Sequence, residues 1–328
     1  MQSLYDSFGR KHDYLRISLT ERCNLRCTYC MPEHGVDLSP KDSLMTRDEI
    51  LAITKVFVGL GVNKVRLTGG EPLVRKDFGE VLASLSKLNI ELALTTNGIL
   101  VDRYTSVFES VGLRSINISL DTLSPNKFFE ITRKNDYHKV VSNIDLLLKM
   151  GYHIKLNVVV KKGFNDDEII DFIQWTEKEN IHIRFIEFMP FDGNSWNLKE
   201  LISYKNILEK VREHYGIEKL NDTPNSTAKA FSVKGFKGTF AVISSMTDHF
   251  CQSCNRLRLT ADGKMKNCLF SKGEVDILTP LRKGEDIEGL IRSCLHQKQY
   301  KHGGIQNILK VKKNDSKLSK RSMILIGG

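Results

Sequence analysis

The sequence predicts an α/β fold in which six strand–helix units form an incomplete barrel, followed by a C-terminal extension. Three observations carry this. Apolar, β-branched runs alternate with helical patterns, each run ends in polar or glycine-bearing residues, and the rhythm changes beyond about residue 220.

The runs come in order as "YLRISL" (14–19), "KVRLT" (64–68), "ELALTT" (91–96), "SINISL" (115–120), "IKLNVVV" (154–160) and "IRFIEF" (183–188). Between them, Thr46 caps a helix with Asp48 and Glu49 in its first turn, ending near Gly61, and further helices are expected at 77–88, 101–111, 138–150 and 166–179. Strand–helix alternation implies a parallel sheet. The strand ends carry a cysteine loop, "GGEP" (69–72), "TNG" (96–98), "SLD" (119–121), "KKGFND" (161–166) and "FMPFDGN" (188–194), and in a barrel all of these share one ligand-binding face. The expected fold is an incomplete (β/α)6 TIM-like barrel whose open side admits a bulky substrate, although a doubly wound sheet shows the same alternation. "DTPNST" (222–227) reads as a linker, "KAFSV" (229–233) and "TFAVISS" (239–245) as short strands, and the tail "KVKKNDSKLSKR" (310–321) is lysine-rich. The expected division is 1–220 for the barrel and 221–328 for the extension.

Of 328 residues, 41% are apolar and 27% charged, the balance of a globular protein with a sizeable core. The formal net charge of +10 favours an anionic partner, or is simply a solvated basic surface. No run approaches the ~18 apolar residues of a membrane span. The polar start "MQSLYDSFGRKHDYLRIS" leads us to expect a cytoplasmic protein.

Seven cysteines, an odd number, argue against a disulfide framework in a reducing compartment. Cys23, Cys27 and Cys30 stand in one short loop. With His34 they supply four ligands for zinc; without it, three thiolates on one loop suit a 4Fe–4S cluster whose fourth iron stays open to a small molecule. A second set, Cys251, Cys254 and Cys268, repeats the problem. Cys294 either completes a zinc ribbon there or is a buried thiol that leaves a second open iron. Arg256 and Arg258 follow at strand spacing on one face, a plausible polyphosphate clamp beside the second set. Gly69 and Gly70 leave room for a ligand's close approach, and Pro72 stiffens the turn after Glu71.

The spacing Cys23-x3-Cys27-x2-Cys30 with Tyr29, together with "GGEP", resembles the radical S-adenosylmethionine superfamily. There the open iron of a 4Fe–4S cluster binds the amine and carboxylate of S-adenosylmethionine, and an electron cleaves it to a 5′-deoxyadenosyl radical. Nearly the whole chain resembles the GTP 3′,8-cyclase family of molybdenum cofactor biosynthesis through "FGRKHDYLRISLTERCNLRCTYCMP", "VRLTGGEPLVR", "LTTNG", "NISLD", "KLNVVVKKGFND", "IRFIEFMPF", "NRLRL" and the terminal "IGG". Residues 271–310 depart most from that pattern.

The resemblance implies radical cyclisation of GTP to (8S)-3′,8-cyclo-7,8-dihydroguanosine 5′-triphosphate, with two 4Fe–4S clusters and S-adenosylmethionine as cofactors. The first cluster would rest on Cys23, Cys27 and Cys30, the second on Cys251, Cys254 and Cys268, with Arg256 and Arg258 in the catalytic set. S-adenosylmethionine would meet Tyr29, Gly69, Gly70, Glu71, Ser119 and Met189. GTP would meet Arg16, Lys64, Arg66, Thr95, Lys155, Arg184, Arg256, Leu257 and Arg258, and the terminal Gly327 and Gly328 would reach back into the site. Implied partners are GTP, S-adenosylmethionine, an electron donor and a downstream cyclic pyranopterin monophosphate synthase, with no nucleic acid, no membrane, and a homodimer as a candidate assembly. The rival readings are a peptide-modifying radical enzyme with an auxiliary cluster and a zinc protein that binds nucleic acid.

Overall fold

The computed structural model describes residues 3–32, 34–194, 196–311 and 321–327. The six expected strands form as β1 (Tyr14–Ser18), β2 (Lys64–Thr68), β3 (Glu91–Thr96), β4 (Ser115–Ser119), β5 (His153–Val160) and β6 (Ile181–Glu187), parallel and neighbouring in sequence order. An order without reversal has no switch point, so the doubly wound alternative falls and the crossover helices lie on one face. The extension adds β7 (Ile217–Lys219), β8 (Lys229–Val233), β9 (Thr239–Ile243), β10 (Arg256–Leu259), β11 (Lys264–Lys266) and β12 (Val275–Asp276). It does not stand apart from the barrel. Strand β10 pairs parallel with β1 and β9 parallel with β6, so the parallel array grows at both edges.

Helices α1 (Arg47–Gly59), α2 (Phe78–Leu85), α3 (Thr105–Ser110), α4 (Pro125–Thr132), α5 (Tyr137–Lys149), α6 (Ile169–Lys178) and α7 (Tyr204–Arg212) cover the sheet. The extension contributes α8 (Leu278–Arg282), α9 (Glu288–His296) and α10 (Met323–Ile326). Helix α1 starts on a capping box: the Glu49 N–H donates to the Thr46 side chain and the Thr46 N–H to the Glu49 carboxylate. Such a cap contributes about 1 kcal/mol. The expected helix at 101–111 is shorter, because a 3₁₀ turn at Val101–Arg103 precedes α3. Helix α4 was not anticipated, although Ser124 caps it and Pro125 opens it.

Strand alternation sorts the side chains. Leu15, Ile17, Val65, Leu67, Leu94, Ile116, Ile118, Leu156, Ile183 and Phe185 pack with Ile53, Phe57, Phe78, Phe108, Ile144 and Phe172 of the helices in one core. Burying each such side chain contributes about 1.5–3 kcal/mol. The other face of the same strands is left to polar residues. A smaller core of Phe188, Phe191, Trp196, Met246, Phe270, Ile305, Ile308 and Ile326 closes the extension over the strand ends.

Candidate active site

The polar face of the sheet lines a cavity of about 540 Å³. Register assembles its cationic wall: Arg16 of β1 lies between Arg258 of β10 and Arg66 of β2, with Arg256, Tyr14 and Lys64 in the next row. On the far side Asn117 of β4 pairs with Lys155 of β5, Lys155 with His182 of β6, and Asn157 with Arg184. Burial, then repulsion by Arg258, pushes the Arg16 guanidinium far below its ordinary value. Burial and Arg66 push Arg184 down to about 9, burial and Arg256 push Arg258 down to about 10, and burial and Arg184 lower Lys155. His182, accepting or donating at 2.7 Å to the Thr239 hydroxyl, is driven down to about 3 by burial and the neighbouring cations. Like charges crowded out of water gain most from a polyanion.

Some of these cations are partly engaged. Arg66 donates to the Tyr14 hydroxyl at 2.5 Å, to the Leu94 carbonyl at 2.9 Å and to Thr95 at 3.3 Å. Lys64 pairs with Glu91 at 2.6 Å, which reduces its free charge. Arg184 Nε, Asn117 Oδ1 and Asn157 Oδ1 are buried with no hydrogen-bond partner among the described residues, polar atoms that a ligand in this cavity would satisfy.

Cys23, Cys27 and Cys30 line the same cavity beside Tyr29, Gly69, Gly70, Ser119 and Met189. Their loop turns tightly, with the Cys30 and Met31 N–H groups both donating to the Cys27 carbonyl. Helix α4 holds it: Arg26 N–H donates to the Thr132 carbonyl and Thr28 N–H to that of Ile131. Burial, then mutual repulsion among the thiols, raises Cys27 and Cys30 well above ordinary values, and burial with Glu71 raises Cys23 to about 11. Tyr29 donates to Asp121 at 2.7 Å, and burial raises Asp121 to about 6 even though the Val159 N–H also donates to it.

The "GGEP" turn lines the cavity and also meets a neighbour that the sequence did not show. A Cβ on Gly70 would stand 2.4 Å from the Arg22 carbonyl oxygen, and one on Gly69 2.7 Å from that of Thr20. The close approach is therefore to the backbone of the cysteine loop, and Gly70 N–H and Glu71 N–H donate to those same two carbonyls. Glu71 is buried, and its carboxylate accepts from Leu73 N–H, Thr96 and Asn97 N–H; burial nevertheless raises it to about 7. It ties three strand ends together.

In the extension, Cys251, Cys254 and Cys268 lie within electrostatic reach of one another. Burial would raise the Cys254 thiol, but Arg256 and Lys298 overcome it and hold it at about 6. Cys294 is apart, buried in the main core with its thiol 3.8 Å from the Met265 carbonyl and bordering a separate outer groove. His34 is exposed. Neither completes a four-ligand zinc site, and among the described residues no three donors converge on a single ion. Each set offers three free thiols, which fits a cluster bound through three irons.

Gly327 stands beside the cavity-lining Arg258 and Thr68: its carbonyl accepts from Arg258 at 2.5 Å and a Cβ would meet Ser18 and Thr68 at 2.8 Å. Gly328 and most of the lysine-rich tail lie outside the described residues. Alternation turns the Leu257 side chain into the core, fully buried, so only its backbone can face the site. The loop or linker segment "DTPNST" (222–227), with Asn221 and Ala228 beside it, walls the cavity. Sequence reasoning also missed Asn97, Asn117, Asp121, Asn157 and His182; of these only Asn97 and Asp121 stood in strand-end motifs already marked.

Residues 17–176 match the Radical SAM superfamily and residues 181–304 the Molybdenum Cofactor Synthesis C family. The chain is 48% identical over 332 residues to an Arabidopsis thaliana protein named GTP 3′,8-cyclase, mitochondrial, covering 99% of this chain and 83% of that protein. It is 43% identical to the GTP 3′,8-cyclase of Peptoclostridium acidaminophilum, covering 99% and 98%. Against mouse molybdenum cofactor biosynthesis protein 1 it is 49% identical over 99% of its own length but spans only about half (51%) of that relative. Among solved structures, Streptococcus suis SuiB bound to S-adenosylmethionine aligns with a TM-score of 0.59 at 17% identity, covering 86% of this chain and 68% of SuiB, a likeness of fold. With full-length relatives at this identity and an extension matched as well as the barrel, the chain belongs to the GTP 3′,8-cyclase family of the radical S-adenosylmethionine superfamily.

Proposed function

We propose that this chain converts GTP to 3′,8-cyclo-7,8-dihydroguanosine 5′-triphosphate by radical chemistry, an early step of molybdenum cofactor biosynthesis. The observation that carries the reading is the cationic wall of Arg16, Arg66, Lys155, Arg184, Arg256 and Arg258, which shares a cavity with the first three-cysteine set and adjoins the second through Arg256 beside Cys254. Membership of the superfamily implies a 4Fe–4S cluster and S-adenosylmethionine; the second cluster, on Cys251, Cys254 and Cys268, is part of the proposal. When bound, the first cluster supplies the electron that cleaves S-adenosylmethionine to its adenosyl radical.

The chain's own residues then divide the work. Cys23, Cys27 and Cys30 hold the first cluster, and Tyr29, Gly70, Ser119 and Met189 border the cosubstrate. Arg16, Arg66, Lys155, Arg184, Arg256 and Arg258 grip the triphosphate and orient the ribose, while Lys64 and Thr95 border it. Arg258 and the Gly327 carbonyl pin the tail beside the cavity, which keeps water and stray hydrogen donors from the ribose. Residues 1–220 thus generate the radical, and residues 221–328 present the purine.

The wider proposal includes an electron donor, a downstream cyclic pyranopterin monophosphate synthase to consume the product, and no nucleic-acid or membrane partner; a homodimer is the assembly to test. No helix among the described residues is long and apolar enough to cross a membrane. A cytoplasmic location belongs to the proposal, since the Arabidopsis relative is named mitochondrial.

The deciding experiment incubates the anaerobically reconstituted chain with GTP, S-adenosylmethionine and a strong reductant. The expected outcome is 5′-deoxyadenosine and the cyclised nucleotide in equal amounts. Deoxyadenosine without any modified GTP would leave a radical enzyme with another substrate.

A further inference from the structure

Lys298, just past the end of α9, is an anomaly. Its residue is only 4% exposed, and no carboxylate pairs with it among the described residues. Burying an ammonium without an anion is costly, so a buried lysine of this kind calls for a counter-charge. Its Nζ instead donates to the Asn267 carbonyl, reaches the Arg256 carbonyl at 3.3 Å, and stands 3.9 Å from Cys254 Sγ.

These contacts fall on both limbs of the second cysteine set. Cys254 and Arg256 belong to the limb that enters β10, while Asn267 immediately precedes Cys268. Asn267 is itself held by donation of its side-chain amide to the Cys294 carbonyl at 2.7 Å, which anchors this limb to α9. The N-terminal arm braces the third ligand: Arg10 donates to the Cys251 carbonyl at 2.7 Å and to those of Gln299 and Tyr300, with Asp6 pairing to its guanidinium at 2.5 Å. The turn carrying Lys298 is thereby fixed against all three cysteines. Among the described residues no cation comes within hydrogen-bond range of Cys23, Cys27 or Cys30; the side-chain partners there are neutral, the Asn97 amide 3.9 Å from Cys23 Sγ and the Tyr29 hydroxyl at Cys27.

We infer that Lys298 is a positioning residue of the second cluster, clamping its two cysteine limbs and donating a charge-assisted hydrogen bond to the Cys254 thiolate, so that it sets that cluster's reduction potential and the placement of the Arg256–Arg258 strand. A fixed positive charge beside a thiolate ligand stabilises the reduced, more negative cluster, and hydrogen bonds to cluster sulfurs act in the same direction. The inference rests on the two-cluster reading above.

The test compares the wild-type chain, Lys298→Met, Lys298→Arg and Lys298→Gln, each reconstituted without oxygen, by iron content and by redox titration followed with electron paramagnetic resonance. In Lys298→Met the second cluster's potential is expected to fall by at least a tenfold change in its reduction equilibrium, 59 mV for a one-electron couple. Lys298→Arg should recover most of that shift, and the first cluster should not move. Wild-type potentials for both clusters in Lys298→Met would overturn the inference. Should Lys298→Met fail to retain the second cluster, the other pair decides: retention in Lys298→Arg with loss in Lys298→Gln supports the charge, and equal behaviour of the two overturns it. A wild-type chain holding about four irons, one cluster's worth, would instead remove the two-cluster reading and this inference with it.

Discussion

The two cysteine sets carry the same number of thiols and differ in the charges beside them, most sharply at Cys254, since burial raises Cys251 as it does the first set. Around Cys23, Cys27 and Cys30 burial raises all three thiols, their mutual repulsion adds to it at Cys27 and Cys30, and Glu71 or Asp121 pushes the same way, with Arg26 opposing only at Cys23. Around Cys254 stand Arg256 and Lys298, and they hold its thiol at about 6 against burial. The contrast teaches how one cavity can sort two ligands. Under the proposed function the acidic end favours a sulfonium compound and the basic end a nucleoside triphosphate, so charge opposes the exchange of the two.

The strongest way to break this contrast is to empty the basic end. In an Arg256→Ala, Arg258→Ala double variant two charge-assisted contacts disappear, about 3–6 kcal/mol together, or roughly two to four decades in GTP affinity. Calorimetric titration with GTP measures it. Reductive cleavage of S-adenosylmethionine should survive, since both residues belong to the strand added by the extension. Equal loss of the two activities would mean that the ends are not electrostatically separate.

A smaller effect sharpens the comparison without any ligand. In the metal-free chain at pH 7, Cys254 is mostly thiolate while Cys23, at about 11, is almost wholly thiol. Thiolate fraction favours Cys254 steeply and intrinsic nucleophilicity partly offsets it, leaving roughly a 10²-fold faster alkylation at Cys254. The sign is fixed by the direction of each shift: labelling of Cys254 stays level above pH 6 and declines as pH drops through about 6, whereas Cys23 gains only towards pH 11. Peptide mapping after a timed iodoacetamide pulse reads both rates. Similar rates at the two sites would remove the electrostatic contrast.

How far the sequence revealed these surroundings depends on the range of the contacts. The six barrel strands were legible because their β-branched runs are local, and Arg256 and Arg258 were legible as a pair because strand spacing is local too. Their position beside Arg16 was not, because β10 joins β1 across more than two hundred residues and no short-range pattern encodes that pairing. The same limit hid the pairing of β9, itself read as a short strand, with β6 at the other edge, and left "DTPNST" (222–227) a loop or linker with no sign that it walls the cavity. Helix α4 is a different kind of miss: Ser124 and Pro125 gave its start signal, and its role in holding the cysteine loop made it worth finding. The glycines of "GGEP" line the cavity as read, but their close approach to the facing cysteine loop was invisible, since proximity to a ligand and to a facing loop look alike in one dimension.

The smallest expected effect falls where the two ends meet. Gly327 lies between Ser18 and Thr68, on strands that lead into the acidic end, and Arg258 at the basic end. Its φ of +83° suits glycine, and a Cβ there would approach both strands at 2.8 Å, so Gly327→Ala brings strain as well as contact. Strain of about 1–2 kcal/mol is enough to loosen the tail in part of the population. Because Gly327 has no side chain to bind iron or supply a cation, cluster content and both ligand affinities should stay near wild type, while turnover of GTP drops roughly tenfold, the equivalent of 1.4 kcal/mol. Deoxyadenosine release should then outrun cyclised product, because a loosened tail admits competing hydrogen donors to the ribose radical. A Gly327→Ala enzyme with the two products still in equal amounts would show that the tail is held by Arg258 without guarding the reaction.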